Sequence, residues 1–214
     1  MIPSLLDSVY GPEALAQIAQ ETELMAPPMD GKLLATRPEL LRDAEVIFAS
    51  WGLPRLDADL LASAPSLRAV FYAAGSVRGF MTDAVWERGI VVTHAAALNA
   101  IPVAEYCLAM TLLALKHTLR YARTAHLSRQ MPVRHPSPGV YRSRVGLISL
   151  GATGRLLLDH LRRFDVQISA HDPFVPDSEV RRLGAEPAEL DEIFATCDVV
   201  SLHTPLLEST RGLI

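Results

Sequence analysis

Six residues in the second half of the chain, Ser149-Leu150-Gly151-Ala152-Thr153-Gly154, have the types and spacing of a turn that holds phosphate. They follow an apolar run over 144–150 and open a helical pattern over 152–164, the strand-turn-helix context that a dinucleotide fingerprint requires. Gly151 would let the backbone approach a pyrophosphate, and Gly154 would let helix and strand pack closely. The free N–H groups of the first helical turn would hold the phosphate oxygens. Ser149 stands where the fingerprint has its first glycine, and serine makes this turn if its φ stays negative. Asp172, in His171-Asp172-Pro173, closes the next apolar run. It falls about 20 residues beyond the glycines, where an acid binds the adenosine ribose hydroxyls. A carboxylate there repels a 2′-phosphate, so NAD is expected over NADP. Alone, Asp172 would read as a turn residue before proline; the joint pattern favours binding.

A third element ends in His203-Thr204-Pro205 after the apolar run 198–202. A strand ending there aims its loop at the carboxyl edge of a sheet, where ligands of open α/β folds bind. His203 reads as a structural histidine bonded to backbone, because no carboxylate partner is identifiable nearby.

These residues need a scaffold, and the pattern supplies one. Strands are expected over 45–49, 67–72 and 90–93, then 144–150, 166–170 and 198–202. Helices are expected over 12–20, 57–63 and 82–88, with Thr82 as a cap and Gly89 closing, and over 152–164, 179–183 and 189–195. Residues 1–10 offer a weak strand. A long helix over 101–127, with Asn99 as its cap and Pro102 in its first turn, joins two α/β blocks, and a loop over 130–139 follows it. Strand, helix, strand in this rhythm predicts parallel βαβ units.

The 214 residues carry a net charge of -4, 50% hydrophobic and 21% charged residues, the balance of a globular domain without the basic excess of a nucleic-acid binder. Cys107 and Cys197 are the two cysteines, too few for a disulfide framework or a zinc site, and they suit a reducing cytoplasm. No metal site is expected. The apolar run 101–115 carries Glu105 and is short for a bilayer span, so it reads as the start of a buried helix rather than a membrane anchor.

The stretches 144–154, His171-Asp172-Pro173 and 197–214 resemble the D-isomer-specific 2-hydroxyacid dehydrogenases, a family that includes D-lactate, glycerate, phosphoglycerate, formate and phosphite dehydrogenases. The likeness runs from about residue 67 onward. "NAIPVAEYCLAMTLLAL" resembles the family's interdomain helix and "VFYAAGSVRGF" its substrate-carboxylate loop. The resemblance implies an α/β chain: a flavodoxin-like substrate domain over 1–98, then a partial Rossmann (doubly wound parallel sheet) NAD-binding domain over 99–214, incomplete at its C-terminus. It implies pyrophosphate contacts at Ala152 and Thr153, a ribose contact at Asp172, and a cofactor loop at Thr204, Pro205 and Thr210. The backbone of Ala74, Gly75, Ser76 and Val77 would hold the substrate carboxylate. Thr153 stands where the family has isoleucine.

The family's catalytic arginine, glutamate and histidine follow later strands, and none of the seven histidines here matches by context; His94 follows a strand but lies on no matching motif. The expectation is therefore hydride transfer between NAD(H) and a small 2-hydroxy or 2-oxo acid by a homodimeric full-length protein, with this chain holding no catalytic residue. A non-catalytic NAD-binding or corepressor-like relative, and a different Rossmann protein of the S-adenosylhomocysteine hydrolase or alanine dehydrogenase kind, are the alternatives.

Overall fold

The computed structural model describes residues 3–133 and 136–214. Its chain divides into two units, Met1–Asn99 and Ala100–Ile214.

In the first unit, α1 (Leu6–Val9) and α2 (Gly11–Glu21) lead to α3 (Gly31–Thr36), which Asp30 caps by accepting the Leu33 N–H at 2.7 Å. The weak strand expected over 1–10 is not formed: residues 3–9 are a 3-10 turn followed by helix, while Met1 and Ile2 lie outside the described residues. The Tyr10 hydroxyl donates to the Ala49 carbonyl at 2.9 Å, anchoring this helical start to the sheet, and burial pushes its pKa up to about 12. Next come β1 (Val46–Ala49), α4 (Ala58–Ala62), β2 (Ala69–Tyr72), α5 (Asp83–Glu87) and β3 (Val91–His94). The three strands pair in parallel in the order β1-β2-β3. Asp57 caps α4 through the Leu60 N–H, as its type suggests. Thr82 holds the cap position of α5, but its hydroxyl donates instead to the Leu56 carbonyl. Leu56, Leu61, Val70, Phe80 and Val85 fill the core beneath this sheet.

The long helix begins one turn earlier than its cap chemistry suggests. α6 spans Ala96–Leu115, so Asn99 and Pro102 both lie within it. His94 takes the capping role, its Nδ1 accepting the Ala96 N–H at 3.2 Å. The helix does not continue to 127. His117 adopts a left-handed φ of 53°, and α7 (Thr118–Ser128) starts beyond it; no glycine or proline marks that break. Nor is α6 largely buried, since only Ala100, Ala104, Thr111 and Leu115 are enclosed while Leu98, Ile101 and Tyr106 are exposed. By length and composition alone it could cross a membrane, the one such helix among the described residues.

After an irregular stretch, of which residues 134 and 135 lie outside the described residues, the second unit continues with β4 (Ser143–Ile148), α8 (Ala152–Leu161), β5 (Val166–His171), α9 (Asp177–Leu183), β6 (Glu186–Pro187), α10 (Leu190–Thr196) and β7 (Val199–Leu202). The short β6 has no counterpart in the apolar pattern. All four strands are parallel, in the order β6-β5-β4-β7. This is the arrangement of a doubly wound sheet, built outward from β4 on one side and then reversing to place β7 on the other. β4 is buried along nearly its whole length, as a central parallel strand must be. At Gly146 a side chain would collide with Ile193 of α10, so the glycine lets that helix lie directly on the strand. Val145, Leu147, Leu157, Leu161 and Ala170 form the core here.

Candidate functional site

The strand order reverses between β4 and β7, and the crevice outside the carboxyl ends at such a point is where ligands bind in open α/β sheets. The residues singled out by spacing in the second unit gather around it. Gly151 caps α8 with φ −70°, and the first intrahelical bond runs from the Arg155 N–H to the Gly151 carbonyl at 3.0 Å. The N–H groups of Ala152, Thr153 and Gly154 precede that bond and point out of the helix start. A Cβ on Gly151 would meet nothing, so open space lies over the turn. A Cβ on Gly154 would collide with the Ser149 carbonyl oxygen, so only glycine allows this approach of helix to turn.

Ser149 departs from the conformation its residue type suggests. Its φ is +75°, in the left-handed region, not negative. A non-glycine residue there bears a strain of roughly 1–2 kcal/mol, and the neighbouring bonds explain how it is held. The Ser149 N–H donates to the His171 carbonyl at 2.8 Å, and its hydroxyl bonds the Thr204 hydroxyl at 2.7 Å.

Asp172 serves the turn and faces a cavity at once. One carboxylate oxygen accepts the Leu150 N–H at 2.7 Å, inside the glycine-rich turn, and the other accepts the Phe174 N–H at 2.9 Å. The role of turn residue and that of site residue thus coincide. A carboxylate has about four acceptor positions, so capacity remains on both oxygens. Asp172 also lines a cavity of about 610 Å³ with His171, Phe174, Asp177, Glu189 and Glu192. Among the described residues, no lysine or arginine lines it.

Arg155 was not singled out from the sequence, yet it braces the same turn. Its Nε donates to the Leu150 carbonyl at 2.8 Å, and its Nη1 pairs with Glu179 of α9 at 3.0 Å. The Arg182 and Arg155 guanidiniums hold the Glu179 carboxyl down at about 2. An arginine directly after the last fingerprint glycine, with a glutamate one helix later, is the signal that marks this brace.

On the far side of the crevice, the His203 N–H donates to the Ile148 carbonyl at 2.9 Å, and its ring Nε2 lies 3.0 Å from the Ser201 hydroxyl. Its ring partner is therefore a side chain and not backbone. Burial lowers the His203 pKa. Thr210 closes the following loop: its hydroxyl donates to the Pro205 carbonyl at 2.6 Å and accepts the Leu207 N–H at 2.8 Å. Thr204 lies in the crevice, Pro205 is exposed, and Thr210 acts on the loop's own backbone.

In the first unit, Ala74, Gly75, Ser76 and Val77 form the turn after β2. Ala74 is buried, and its carbonyl accepts the Ala95 N–H at 3.0 Å. Among the described residues, the N–H groups of Gly75, Ser76 and Val77 donate to no protein acceptor. Three successive N–H groups without a protein acceptor are donors available to an anion. No group of three His, Cys, Asp or Glu that could hold a metal occurs among the described residues.

A family model described as "D-isomer specific 2-hydroxyacid dehydrogenase, NAD binding domain" matches residues 108–214. A D-3-phosphoglycerate dehydrogenase of Mycobacterium tuberculosis is 30% identical over 218 residues, which cover 98% of this chain and 39% of that protein. An (S)-sulfolactate dehydrogenase of Chromohalobacter salexigens is 36% identical over 171 residues, covering 75% of this chain and 52% of that one. The chain thus spans about two-fifths to one half of the length of these curated relatives. Among solved structures, the D-lactate dehydrogenase of Aquifex aeolicus complexed with NAD and lactic acid superposes with a TM-score of 0.72 at 24% identity, covering 98% of this chain and 59% of that chain. This last likeness is one of fold.

Proposed function

Because the chain belongs to the D-isomer-specific 2-hydroxyacid dehydrogenase family, we propose that it binds NAD(H) at the β4–β7 crevice as part of an oxidoreductase acting on a small 2-hydroxy or 2-oxo acid. The observation that carries the proposal is Asp172, fixed by the turn at Leu150 and fronting a cavity that, among the described residues, holds acids but no lysine or arginine. Its spare acceptor capacity suits the two hydroxyls of an adenosine ribose, and its charge opposes a 2′-phosphate. The open space over Gly151 and the outward N–H groups of Ala152, Thr153 and Gly154 suit a diphosphate.

The bound cofactor would supply the hydride chemistry, exchanging a hydride with the substrate carbon that bears the hydroxyl. This chain's residues bind and orient. Asp172 holds the ribose, the start of α8 holds the diphosphate, and Thr204 with Pro205 borders the crevice. The free N–H groups of Gly75, Ser76 and Val77 bind the substrate carboxylate. Arg78, exposed directly after them, suits a substrate with a second anionic group, in keeping with two relatives named for a phospho-acid and a sulfo-acid. The protein is a cytoplasmic homodimer in this proposal, supported by the free thiols of Cys107 and Cys197 and by the apolar residues that α6 leaves uncovered.

Titrating NADH and NADPH onto the protein tests the proposal; tighter binding of NADPH would sink it. The 214-residue chain by itself is expected to turn over no 2-oxo acid, because it contains no residue matching the family's acid–base histidine or substrate arginine. NADH oxidation by the purified chain with hydroxypyruvate, pyruvate or glyoxylate checks this.

A further inference from the structure

Building on the cofactor proposal above, we infer that Ser149 is itself a cofactor-binding residue, forming with Thr204 a paired hydroxyl donor for a diphosphate oxygen. The two hydroxyls are 2.7 Å apart and join residues 55 positions apart in sequence, from the end of β4 to the end of β7. Two hydroxyls carry two hydrogens, and their mutual bond uses one. Neither oxygen has another partner among the described residues. Whichever serves as donor within the pair, one O–H hydrogen remains to be given to an acceptor outside it.

The surroundings say what kind of acceptor. A side chain on Gly154, at the start of α8, would meet both the Ser149 carbonyl and the His203 ring, next to Thr204. The spare hydrogen therefore belongs to the same small region as the outward N–H groups of Ala152, Thr153 and Gly154. Apart from the Ser149 carbonyl, the groups named there are donors, and an oxyanion is the ligand that donors of this kind share. The backbone supplies the second line of argument. Glycine would take φ +75° without strain, yet the chain keeps a serine there. Among the described residues, the one hydrogen bond its side chain makes is that to Thr204. Strain kept at a binding turn points to use of the side chain that causes it.

The test uses the protein with NADH and ADP-ribose as probes. Ser149→Gly removes the hydroxyl and relieves the φ strain together; Thr204→Val removes the partner hydroxyl at nearly the same volume. Each is expected to weaken both probes by about tenfold, the loss of one hydrogen bond to a charged acceptor. The double variant is expected to lose no more than either single one, because the pair acts as a unit. The melting temperature of Ser149→Gly should equal or exceed that of the unaltered protein, which separates loss of a donor from loss of fold. Unchanged NADH affinity in Ser149→Gly, with the unaltered protein binding normally, would overturn the inference and leave the cofactor proposal standing. Losses that multiply in the double variant would overturn it as well. Failure of the unaltered protein to bind either probe would overturn both.

Discussion

The carboxylate of Asp172 holds the backbone N–H of Leu150 at 2.7 Å, across 22 positions of sequence. The residue proposed to choose the cofactor's ribose also shapes the turn proposed to receive its diphosphate. Asp172→Ala and Asp172→Asn should therefore differ. Alanine leaves the Leu150 and Phe174 N–H groups without their acceptor and is expected to cost about 1–3 kcal/mol of stability along with NADH affinity. Asparagine keeps one acceptor oxygen and removes the charge. It is expected to fold nearly as the wild type while narrowing the NADH-over-NADPH preference. Melting curves and paired cofactor titrations separate the two effects; an equal preference ratio before and after the asparagine change would refute the electrostatic role.

Gly151 and Gly154 offer a contrast inside one motif. Gly151→Ala adds a methyl group into open space at a φ that alanine accepts, so the fold should be unchanged. NADH binding should nevertheless fall, because that space is where the diphosphate lies in the proposal. Gly154→Ala drives a methyl group against the Ser149 carbonyl. The gain that alanine usually brings to a helix is then outweighed, and a loss of about 1–3 kcal/mol is expected. Chemical denaturation of both variants checks the ordering.

Acid should loosen the brace around the turn. Glu179 has its pKa lowered from 4.5 to about 2 by its bonds with Arg182 and Arg155. A depressed carboxyl pKa contributes stability that is fully present above the unfolded value and is lost as pH falls through the folded one. The contribution should thus fade between about 4.5 and about 2. Glu179→Gln is expected to flatten this part of the acid limb in a pH series of melts. An acid limb identical to that of the wild type would show that the pairs contribute nothing.

β7 is an edge strand of the second sheet, and its apolar Val199 and Val200 are only half-buried. An open parallel edge of this kind is a template for association. The 214-residue chain is expected to be oligomeric or aggregation-prone and marginally stable, which light scattering and thermal melts would reveal. A monodisperse monomer with a sharp, cooperative transition would contradict this.

Much of the second unit was legible because its signals are local. Apolar runs mark β4, β5 and β7, and glycine spacing marks the turn. The first unit's strands were equally plain, but its start was not: helix over residues 3–9 is fixed by a bond from Tyr10 to Ala49, a partner far along the chain. The break at His117 carries no glycine or proline to announce it, and the earlier start of α6 depends on a histidine acting as a cap. At the site, residue types located Asp172 but not its grip on Leu150. The positive φ of Ser149 runs against what serine prefers, so only the surrounding bonds disclose it.

The central place of β4 also orders the history of the fold. Its pairing with β5 closes over a short helical connection, whereas its pairing with β7 joins Val145 to Val199, much farther along the chain. Contacts between distant positions carry the larger loop-closure cost and form later. β4, α8 and β5 should therefore condense first, and the amides of β4 should be the slowest to exchange with solvent in native-state hydrogen exchange. During synthesis the glycine turn would already have its strand, its helix and its aspartate while the far wall of the crevice was still unfolded chain.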